Sequence, residues 1–271
     1  MDLAVAQRLA ALNQAFYEDH AEDFADTRPR LPAGVSRVLG RVARGTRVLE
    51  VGCGDGKVGR ALARAGAAGY LGLDVSEAML ARARRYTGAE ALPVPLAFQR
   101  ADLMDPAWPG ALPAQPFDWV LAFGVFHHLP GAARRAQVFG ALAARLAADG
   151  HLALANWQFT RSERLSKRQV GWEAVGLTVA DVEPGDALLP WERRGRTGLR
   201  FVHLLDAAEA QQLAANTGLR VRETFSADGA SGDLNEYWIM GRERSKAGNS
   251  RARGDSGEEP RPWHGCELVG G

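Results

Sequence analysis

Apolar positions along the first two thirds of the chain alternate between two kinds of spacing. Short runs that are apolar at nearly every position, such as residues 117–123, are typical of strands covered on both faces. Between these runs, apolar residues recur at helical spacing. The pattern predicts, in chain order, helix 3–26, a helix after Pro32, strand 48–51, helix 57–65, strand 70–74, helix 76–85, strands 95–99 and 117–123, helix 131–148 and strand 150–156. This alternation predicts an α/β fold with a doubly wound, mostly parallel sheet, which binds ligands beyond the carboxyl ends of its strands.

The alternation stops at residues 158–204, which we interpret as an insertion after the fifth strand. Three further elements restore it and bring the sheet to seven strands: helix 206–217 and strands 219–226 and 235–241. The last segment of the chain is rich in Gly, Ser, Arg and Glu, so we expect it to be disordered. The predicted organisation is therefore an N-terminal helical lid segment, a domain that carries the insertion, and a disordered tail: 1–44, 45–241 and 242–271.

Composition narrows the class of protein. The 271 residues are 46% hydrophobic, enough for one α/β core, and the net charge of +1 identifies no partner. Cys53 and Cys266 have the spacing of neither a metal site nor a disulfide framework, so we expect no metal and a reducing compartment. No apolar stretch approaches the roughly 20 residues that span a bilayer, and the N-terminus does not resemble a signal peptide. We expect a cytoplasmic protein without membrane contact.

The first predicted strand runs into three glycines at alternate positions, Glu50-x-Gly52-x-Gly54-x-Gly56. Glycines leave no β-carbons where the chain turns into a helix, so a ligand can lie against bare backbone. The spacing differs from the Gly-x-Gly-x-x-Gly of dinucleotide-binding loops. Glu50 disfavours a phosphate and suits a ligand with an ammonium or sulfonium charge. Asp74 ends the second strand about 20 residues later, where an acid binds ribose hydroxyls in such folds.

These motifs resemble those of class I S-adenosylmethionine-dependent methyltransferases. The segment Gly124-Val125-Phe126-His127-His128-Leu129-Pro130 is similar to the His-His-Leu that follows the fourth strand in that class. The resemblance implies S-adenosylmethionine as the cofactor and an acid, Asp102, that faces the adenine amino group. The cofactor-binding residues that we predict on this basis are Tyr17, Arg28, Glu50, Gly52, Cys53, Gly54, Gly56, Asp74, Val75, Met79, Asp102, Leu103 and Phe123.

Three segments resemble a narrower family, the tRNA wobble-uridine methyltransferases that esterify 5-carboxymethyluridine. They are residues 16–28, with a Tyr-x-x-x-Ala-x-x-Phe-x-x-Thr-Arg pattern, residues 185–191 and residues 200–205. This resemblance implies tRNA as a partner. The chain departs from that family at residues 29–32 and 228–237, so a small-molecule substrate under a lid is the alternative. A cofactor-binding scaffold without catalysis is a third hypothesis, which the intact glycines argue against.

The methyl acceptor decides which side chains are needed. A carboxylate with a pKa near 4 is already ionised at neutral pH and needs cations to hold it rather than a base. A phenol or an amine favours a base, for which His127 and His128 are the candidates. The candidate catalytic residues are Arg28, His128, Arg200 and His203. Arginines with interleaved aromatic residues in the insertion, including Arg193, Arg194 and Arg196, suit contacts with RNA phosphates and bases.

Overall fold

The computed structural model describes residues 1–21, 23 and 30–243. The predicted site residue Arg28 and residues 244–271 of the predicted tail 242–271 lie outside these residues. The described α-helices are α1 (Leu3–Asp19), α2 (Ala33–Leu39), α3 (Lys57–Ala65), α4 (Glu77–Gly88), α5 (Ala132–Ala143), α6 (Glu163–Ser166) and α7 (Ala207–Asn216). The described strands are β1 (Arg47–Val51), β2 (Gly69–Asp74), β3 (Leu96–Arg100), β4 (Phe117–Phe123), β5 (Leu146–Trp157), β6 (Asp186–Arg193), β7 (Arg196–His203), β8 (Leu219–Ala227) and β9 (Asn235–Arg242).

Seven of these strands form one sheet in the order β3-β2-β1-β4-β5-β9-β8. The first five are parallel, whereas β9 is antiparallel to both β5 and β8. The predicted α/β fold with a seven-stranded, mostly parallel sheet is confirmed. The strand order reverses between β1 and β4, and in doubly wound sheets a ligand binds at the carboxyl ends of the strands at such a point.

The centre of the sheet is buried on both faces. Val48 and Leu49 of β1 and Val120 and Leu121 of β4 are completely inaccessible to solvent. They divide between two apolar clusters, one on each face of the sheet. This arrangement explains why the two central strands read as unbroken apolar runs, and it gives the loops at their carboxyl ends a rigid base.

Three predicted boundaries were wrong. Helix α5 ends at Ala143 instead of continuing to 148, and β5 begins at Leu146 instead of at 150. The alanine-rich stretch between them has a high helix propensity, but Leu146 pairs with Phe117 of β4. Tertiary pairing therefore overrides local propensity here. Helix α1 also ends earlier than the predicted helix 3–26: it stops at Asp19, where the backbone N–H of His20 donates to the carbonyl of Phe16.

The insertion contains a β-hairpin that lies outside the main sheet. Strands β6 and β7 pair over their whole length, and the two turn residues Arg194 and Gly195 have φ values of 50° and 75°. Positive φ at both central residues is the signature of a tight hairpin turn. Helix α1 packs against β7, so the hairpin and the N-terminal helix form one unit above the sheet. Among the described helices, none combines the length and the apolar character that crossing a bilayer requires.

Candidate active site

A cavity of about 990 Å³ opens at the carboxyl ends of the central strands, beneath α1 and beside β7. Its floor comes from the glycine loop after β1, the end of β2 and the loop after β4, and its roof comes from one face of α1. Most of the residues predicted to bind the cofactor line it: Tyr17, Gly52, Gly54, Asp74, Val75, Met79, Asp102, Leu103 and Phe123. The sequence motifs thus converge on one concave surface.

The glycine loop leaves its cavity side open. Gly52 and Gly54 have φ values of 67° and 53°, which side-chain-bearing residues rarely adopt. A Cβ at Gly54 would meet no described atom within 4 Å, whereas a Cβ at Gly52 would lie 2.4 Å from Cγ2 of Val125. The loop is tied to β2 by the N–H of Cys53, which donates to the carbonyl of Leu73 at 2.9 Å. The space above Gly54 is therefore available to a ligand.

Asp74 faces this open space from the end of β2. Its Oδ2 accepts a hydrogen bond from the N–H of Gly54 at 2.8 Å, and its Oδ1 accepts one from the N–H of Ser76 at 3.0 Å. Burial raises the pKa of the Asp74 carboxyl, and these backbone hydrogen bonds oppose that increase. A carboxylate has about four acceptor positions, so Asp74 retains capacity for ligand hydroxyl groups.

Three predicted cofactor residues, Glu50, Cys53 and Gly56, do not line the cavity. Glu50 is 3% exposed and accepts a hydrogen bond from the hydroxyl of Tyr70, and burial raises the pKa of Glu50 to about 8. Cys53 is also buried, which raises the pKa of its thiol well above the usual value. Gly56 is the left-handed N-cap of α3. These residues support the loop from beneath rather than forming its ligand-facing surface.

The two histidines after β4 have different surroundings. Nε2 of His128 lies 2.8 Å from the hydroxyl of Tyr17, and its Nδ1 lies 3.0 Å from the carbonyl oxygen of Phe201. Because a carbonyl can only accept, Nδ1 carries the hydrogen and Nε2 accepts from Tyr17. In His127, by contrast, Nδ1 accepts from the backbone N–H of Trp157 at 3.3 Å. The neutral form of His127 therefore carries its hydrogen on Nε2.

Arg200 reaches the cavity from β7. Its side chain is buried, with 4% exposure for the residue, and its guanidinium carbon lies 5.0 Å from the centroid of the Phe16 ring and 5.2 Å from that of Trp157. Packing between two aromatic rings stabilises a cation in a partly desolvated position. The cavity therefore has a positive group on its hairpin side.

The part of the chain that carries the glycine loop is similar to a known family. Residues 48–150 match the family model described as "Methyltransferase domain". That match marks residues 48–150 as a methyltransferase domain, and the seven-stranded sheet around it has the fold of class I S-adenosylmethionine-dependent methyltransferases. Its fold is similar to that of the CcbJ methyltransferase from Streptomyces caelestis, with a TM-score of 0.62, 18% identity and coverage of 87% of this chain and 98% of that one.

It is also similar to magnesium protoporphyrin IX methyltransferase from Synechocystis PCC 6803 with bound S-adenosylhomocysteine. That structure gives a TM-score of 0.58 and 17% identity, over 85% of this chain and 98% of that one. A curated relative, 27-O-demethylrifamycin SV methyltransferase from Amycolatopsis mediterranei (strain S699), is 28% identical over 174 residues. The match covers 64% of this chain and 59% of that relative.

The geometry of the cavity fits S-adenosylmethionine, the cofactor that the glycine motif implies. Gly54 leaves space for a ligand against the backbone, and Asp74 presents carboxylate acceptors, which suit ribose hydroxyls, to the same space. Val75, Met79 and Leu103 form an apolar wall suited to an adenine ring, with Asp102 beside it. The N–H of Met104 donates to Oδ1 of Asp102 at 2.8 Å and fixes its orientation.

The structure separates His203 from the cavity, contrary to our expectation that it would hold the acceptor beside Arg200. The two residues are three positions apart on β7, and side chains three apart on a strand point to opposite faces. His203 is instead sandwiched between carboxylates: Nδ1 lies 2.7 Å from Asp186, and Nε2 lies 2.8 Å from Glu209. Burial alone would lower the pKa of His203, but these two hydrogen bonds raise it.

Potential metal ligands meet near His203, because ligand atoms of Glu183, Asp186 and His203 lie within 4.8 Å of one another. Both nitrogens of His203 already contact carboxylates, and Arg135 pairs with Glu183 at 3.0 Å and also with Glu209. A guanidinium inside the cluster repels a metal cation. The group is therefore a buried ion-pair network that joins the hairpin to α5 and α7.

The arginines at the hairpin turn pair with the N-terminal segment. Arg193 donates to the backbone carbonyl of Asp23 at 2.9 Å, and Arg194 and Arg196 lie 3.6 Å and 3.3 Å from its carboxylate. The side chains of Arg194 and Arg196 are nevertheless 67% and 51% exposed. Their contact with tRNA phosphates stays a prediction.

Sequence reasoning missed Asn13, Glu18 and Asp228 because their partners are distant in the sequence. Glu18 of α1 accepts hydrogen bonds from the first two N–H groups of α4, at 2.9 and 3.3 Å. These bonds hold α1, which covers the cavity, against the helix that follows β2. Asp228 has a φ of 67°, and its carboxylate accepts from the N–H of Gly34, the amide of Asn235 and the hydroxyl of Tyr237. For Asp228 the sequence offers one signal, which is the Asp residue directly before a glycine, because Asp tolerates the αL conformation.

Proposed function

We propose that this methyltransferase domain transfers a methyl group to a hydroxyl of a small organic molecule. The hydrogen bond between Tyr17 and Nε2 of His128 carries this proposal. It joins an ionisable hydroxyl to a basic nitrogen, and both residues line the cavity beside the glycine loop. Methylation of a neutral hydroxyl benefits from a base in this position, whereas methylation of a carboxylate does not.

The Gly54 loop and Asp74 would hold S-adenosylmethionine, which would supply an electrophilic methyl group for the acceptor oxygen, with S-adenosylhomocysteine as the leaving group. The chain's own part is to remove the hydroxyl proton. The oxygen of Tyr17 can accept that proton while its own proton passes to Nε2 of His128, or the acceptor can replace Tyr17 beside Nε2. His127 is unsuited to this role because its Nδ1 accepts from the Trp157 N–H and its Nε2 carries the hydrogen.

The size and the lining of the cavity support a small acceptor. Gln7, Ala10, Ala11 and Gln14 of α1 lie across it, and Trp157 and Leu234 line its far side. A cavity of about 990 Å³ is at the upper end of the size range of small-molecule sites. The curated relative also supports the proposal, because its name gives 27-O-demethylrifamycin SV as its substrate.

A carboxylate acceptor, including the carboxymethyl group of a tRNA wobble uridine, is the second candidate. Arg200 favours it, because a buried guanidinium at the cavity wall suits an anionic acceptor. The turn arginines that would contact the tRNA backbone also pair with Asp23, which weakens this candidate. Esterification would require no base and would leave the Tyr17–His128 pair without a chemical role.

The stability of the product in alkali separates the two candidates. The protein is incubated with methyl-labelled S-adenosylmethionine and either an organic extract of its source cells or bulk tRNA. We expect the label in an organic-soluble product that survives mild alkali, as a methyl ether does, and mass fragmentation then locates the methyl group on oxygen. Label that alkali releases as methanol would identify an ester and overturn the proposal, and such label on tRNA would establish the second candidate.

His128→Gln tests the role of the base in the same assay. We expect turnover to fall by about 10²- to 10⁴-fold, which is the usual contribution of a general base. Binding of S-adenosylhomocysteine should be unchanged. If His128→Gln retains full turnover, His128 is not the base.

A further inference from the structure

Asn13 is a polar side chain buried in the middle of α1. It is 5% exposed, and both ends of its amide bind the backbone of Phe201 in β7. The N–H of Phe201 donates to Oδ1 at 2.9 Å, and Nδ2 donates to the carbonyl of Phe201 at 3.0 Å. Because the N–H can only donate and the carbonyl can only accept, the orientation of the amide is fixed. Asn13 therefore holds this peptide group in one position.

The same carbonyl contacts His128. Nδ1 of His128 lies 3.0 Å from the oxygen of Phe201, so this nitrogen carries the hydrogen. Which ring nitrogen of a neutral histidine is protonated depends on the hydrogen bond that the other nitrogen makes. Here the lone pair remains on Nε2, which faces the hydroxyl of Tyr17. The amide of Asn13 also lies 3.3 Å from Nδ1, but this contact is longer than the one to the carbonyl.

We propose that Asn13 is a positioning residue that acts through the carbonyl of Phe201 to hold His128 in the tautomer whose Nε2 can take a proton. The inference rests on the proposed function, in which His128 receives the proton of the acceptor. When Nε2 becomes protonated, Nδ1–H continues to donate to the same carbonyl, so the charged ring keeps its orientation. No side-chain carboxylate is needed for this task.

Asn13 is separable from the general anchoring of α1. At the start of the helix, Nη2 of Arg8 donates to the carbonyl of Val175 at 2.6 Å. At its end, Arg196 donates to the carbonyl of Asp19. Leu9 and Phe16, which are 1% and 4% exposed, supply its apolar packing. Loss of the Asn13 amide therefore leaves the helix attached and changes mainly the hydrogen bonds around Phe201 and His128.

The test observes the ring of His128 directly and needs no acceptor. The protein is labelled with ¹⁵N in its histidine rings and loaded with S-adenosylhomocysteine, and long-range proton–nitrogen correlations show which nitrogen carries the hydrogen. The chain has six histidines, and the spectrum of His128→Gln identifies the signals of His128. Asn13→Asp keeps the shape of the side chain but replaces the donor to the Phe201 carbonyl with an oxygen that repels it. Asn13→Ala removes both bonds, and Arg8→Ala is the matched control on the same helix.

In the unmodified protein we expect the hydrogen on Nδ1 alone. In both Asn13 variants we expect a mixture of tautomers, unchanged affinity for S-adenosylhomocysteine, and a fall in kcat of about ten- to a hundredfold through mispositioning of the base. Arg8→Ala should retain the single tautomer. A proton on Nε2 in the unmodified protein would overturn the inference even if the variants failed to fold.

An unchanged tautomer in both Asn13 variants would also overturn the inference and limit Asn13 to helix packing. The inference and the proposed function fail in different measurements. An alkali-labile product would refute the hydroxyl acceptor without altering the tautomer of His128.

Discussion

Replacement of Glu50 by Gln should stabilise the protein at alkaline pH. Glu50 lies beneath the glycine loop at 3% exposure, and burial raises its pKa from 4.5 to about 8. The folded protein therefore keeps a proton on this carboxyl between pH 4.5 and 8, whereas the unfolded chain has lost it. The free energy of unfolding must fall as the pH rises through this range. Gln is a neutral isostere and removes this dependence.

The size of the effect follows from the two pKa values. They differ by about 3.5 pH units, and each unit corresponds to about 1.36 kcal/mol, so the cost of ionising Glu50 approaches about 5 kcal/mol above pH 8. Glu50→Gln should match the unmodified protein near pH 4.5 and exceed its stability by up to that amount at pH 9. The hydroxyl of Tyr70, which donates to Glu50, can donate to the amide oxygen of Gln instead.

Denaturant unfolding of both proteins at pH 5, 7 and 9 measures this difference, with midpoints converted to free energies by linear extrapolation. Glu223→Gln is the control, because Glu223 is a partly exposed acid paired with Arg37 and Arg41 on the outside of the sheet. The free energy of unfolding of Glu223→Gln should stay within about 1 kcal/mol of that of the unmodified protein, as is usual for surface ion pairs. A Glu50→Gln difference that does not grow with pH would show that Glu50 is ionised in the folded protein and would refute this reasoning.

Four further outcomes follow from the structure. Asp74→Ala removes acceptors for the ribose hydroxyls and should weaken S-adenosylmethionine binding about tenfold or more by calorimetry. Gly54→Val places a side chain in the open space above the loop, at a φ of 53°, and should weaken binding further. Gly88→Ala, where a Cβ meets nothing within 4 Å, should leave binding unchanged. His203→Gln breaks a buried ion pair and should cost about 3–5 kcal/mol of stability.

The pH dependence of the His203→Gln effect has a definite sign. The folded-state pKa of His203 is raised, so the stability contributed by its charged form is present below the unfolded pKa of about 6.5 and is lost as the pH rises through the folded value. The unfolding difference between His203→Gln and the unmodified protein should therefore be larger at pH 6 than at pH 9. An equal difference at pH 6 and pH 9 would show that His203 does not form an ion pair in this network. For Asp74→Ala, unchanged affinity would contradict the assigned contact.

The cofactor half of the site could be predicted because its signals are local. The apolar run of β1, the glycine loop and the start of α3 follow one another directly in the chain, and Asp74 follows at a distance set by one helix and one strand. In a parallel sheet the carboxyl ends of neighbouring strands meet at one edge, so element order alone brings these residues together.

On the hairpin side of the cavity, the predicted residues His128 and Arg200 do line the cavity, but the contacts that hold this side together could not be predicted in the same way. Asn13 is 188 residues from its partner Phe201, and nothing in the sequence around either residue indicates the other. The hairpin was also missed, although its Arg194-Gly195 turn lies between two runs that can form strands. Once β7 is recognised as a strand, the opposite directions of Arg200 and His203 follow from its period of two.

The carboxylate of Asp228 suggests how the acceptor range of this enzyme can be re-engineered. It binds α2 through Gly34 and the start of β9 through Asn235 and Tyr237, so it fixes both ends of the connection at residues 229–234. Gly229 and Leu234 of that connection line the cavity, and Gly232 has open space around it. A library of exchanged loops between Asp228 and Asn235 should therefore alter acceptor choice while the cofactor site and the sheet remain intact.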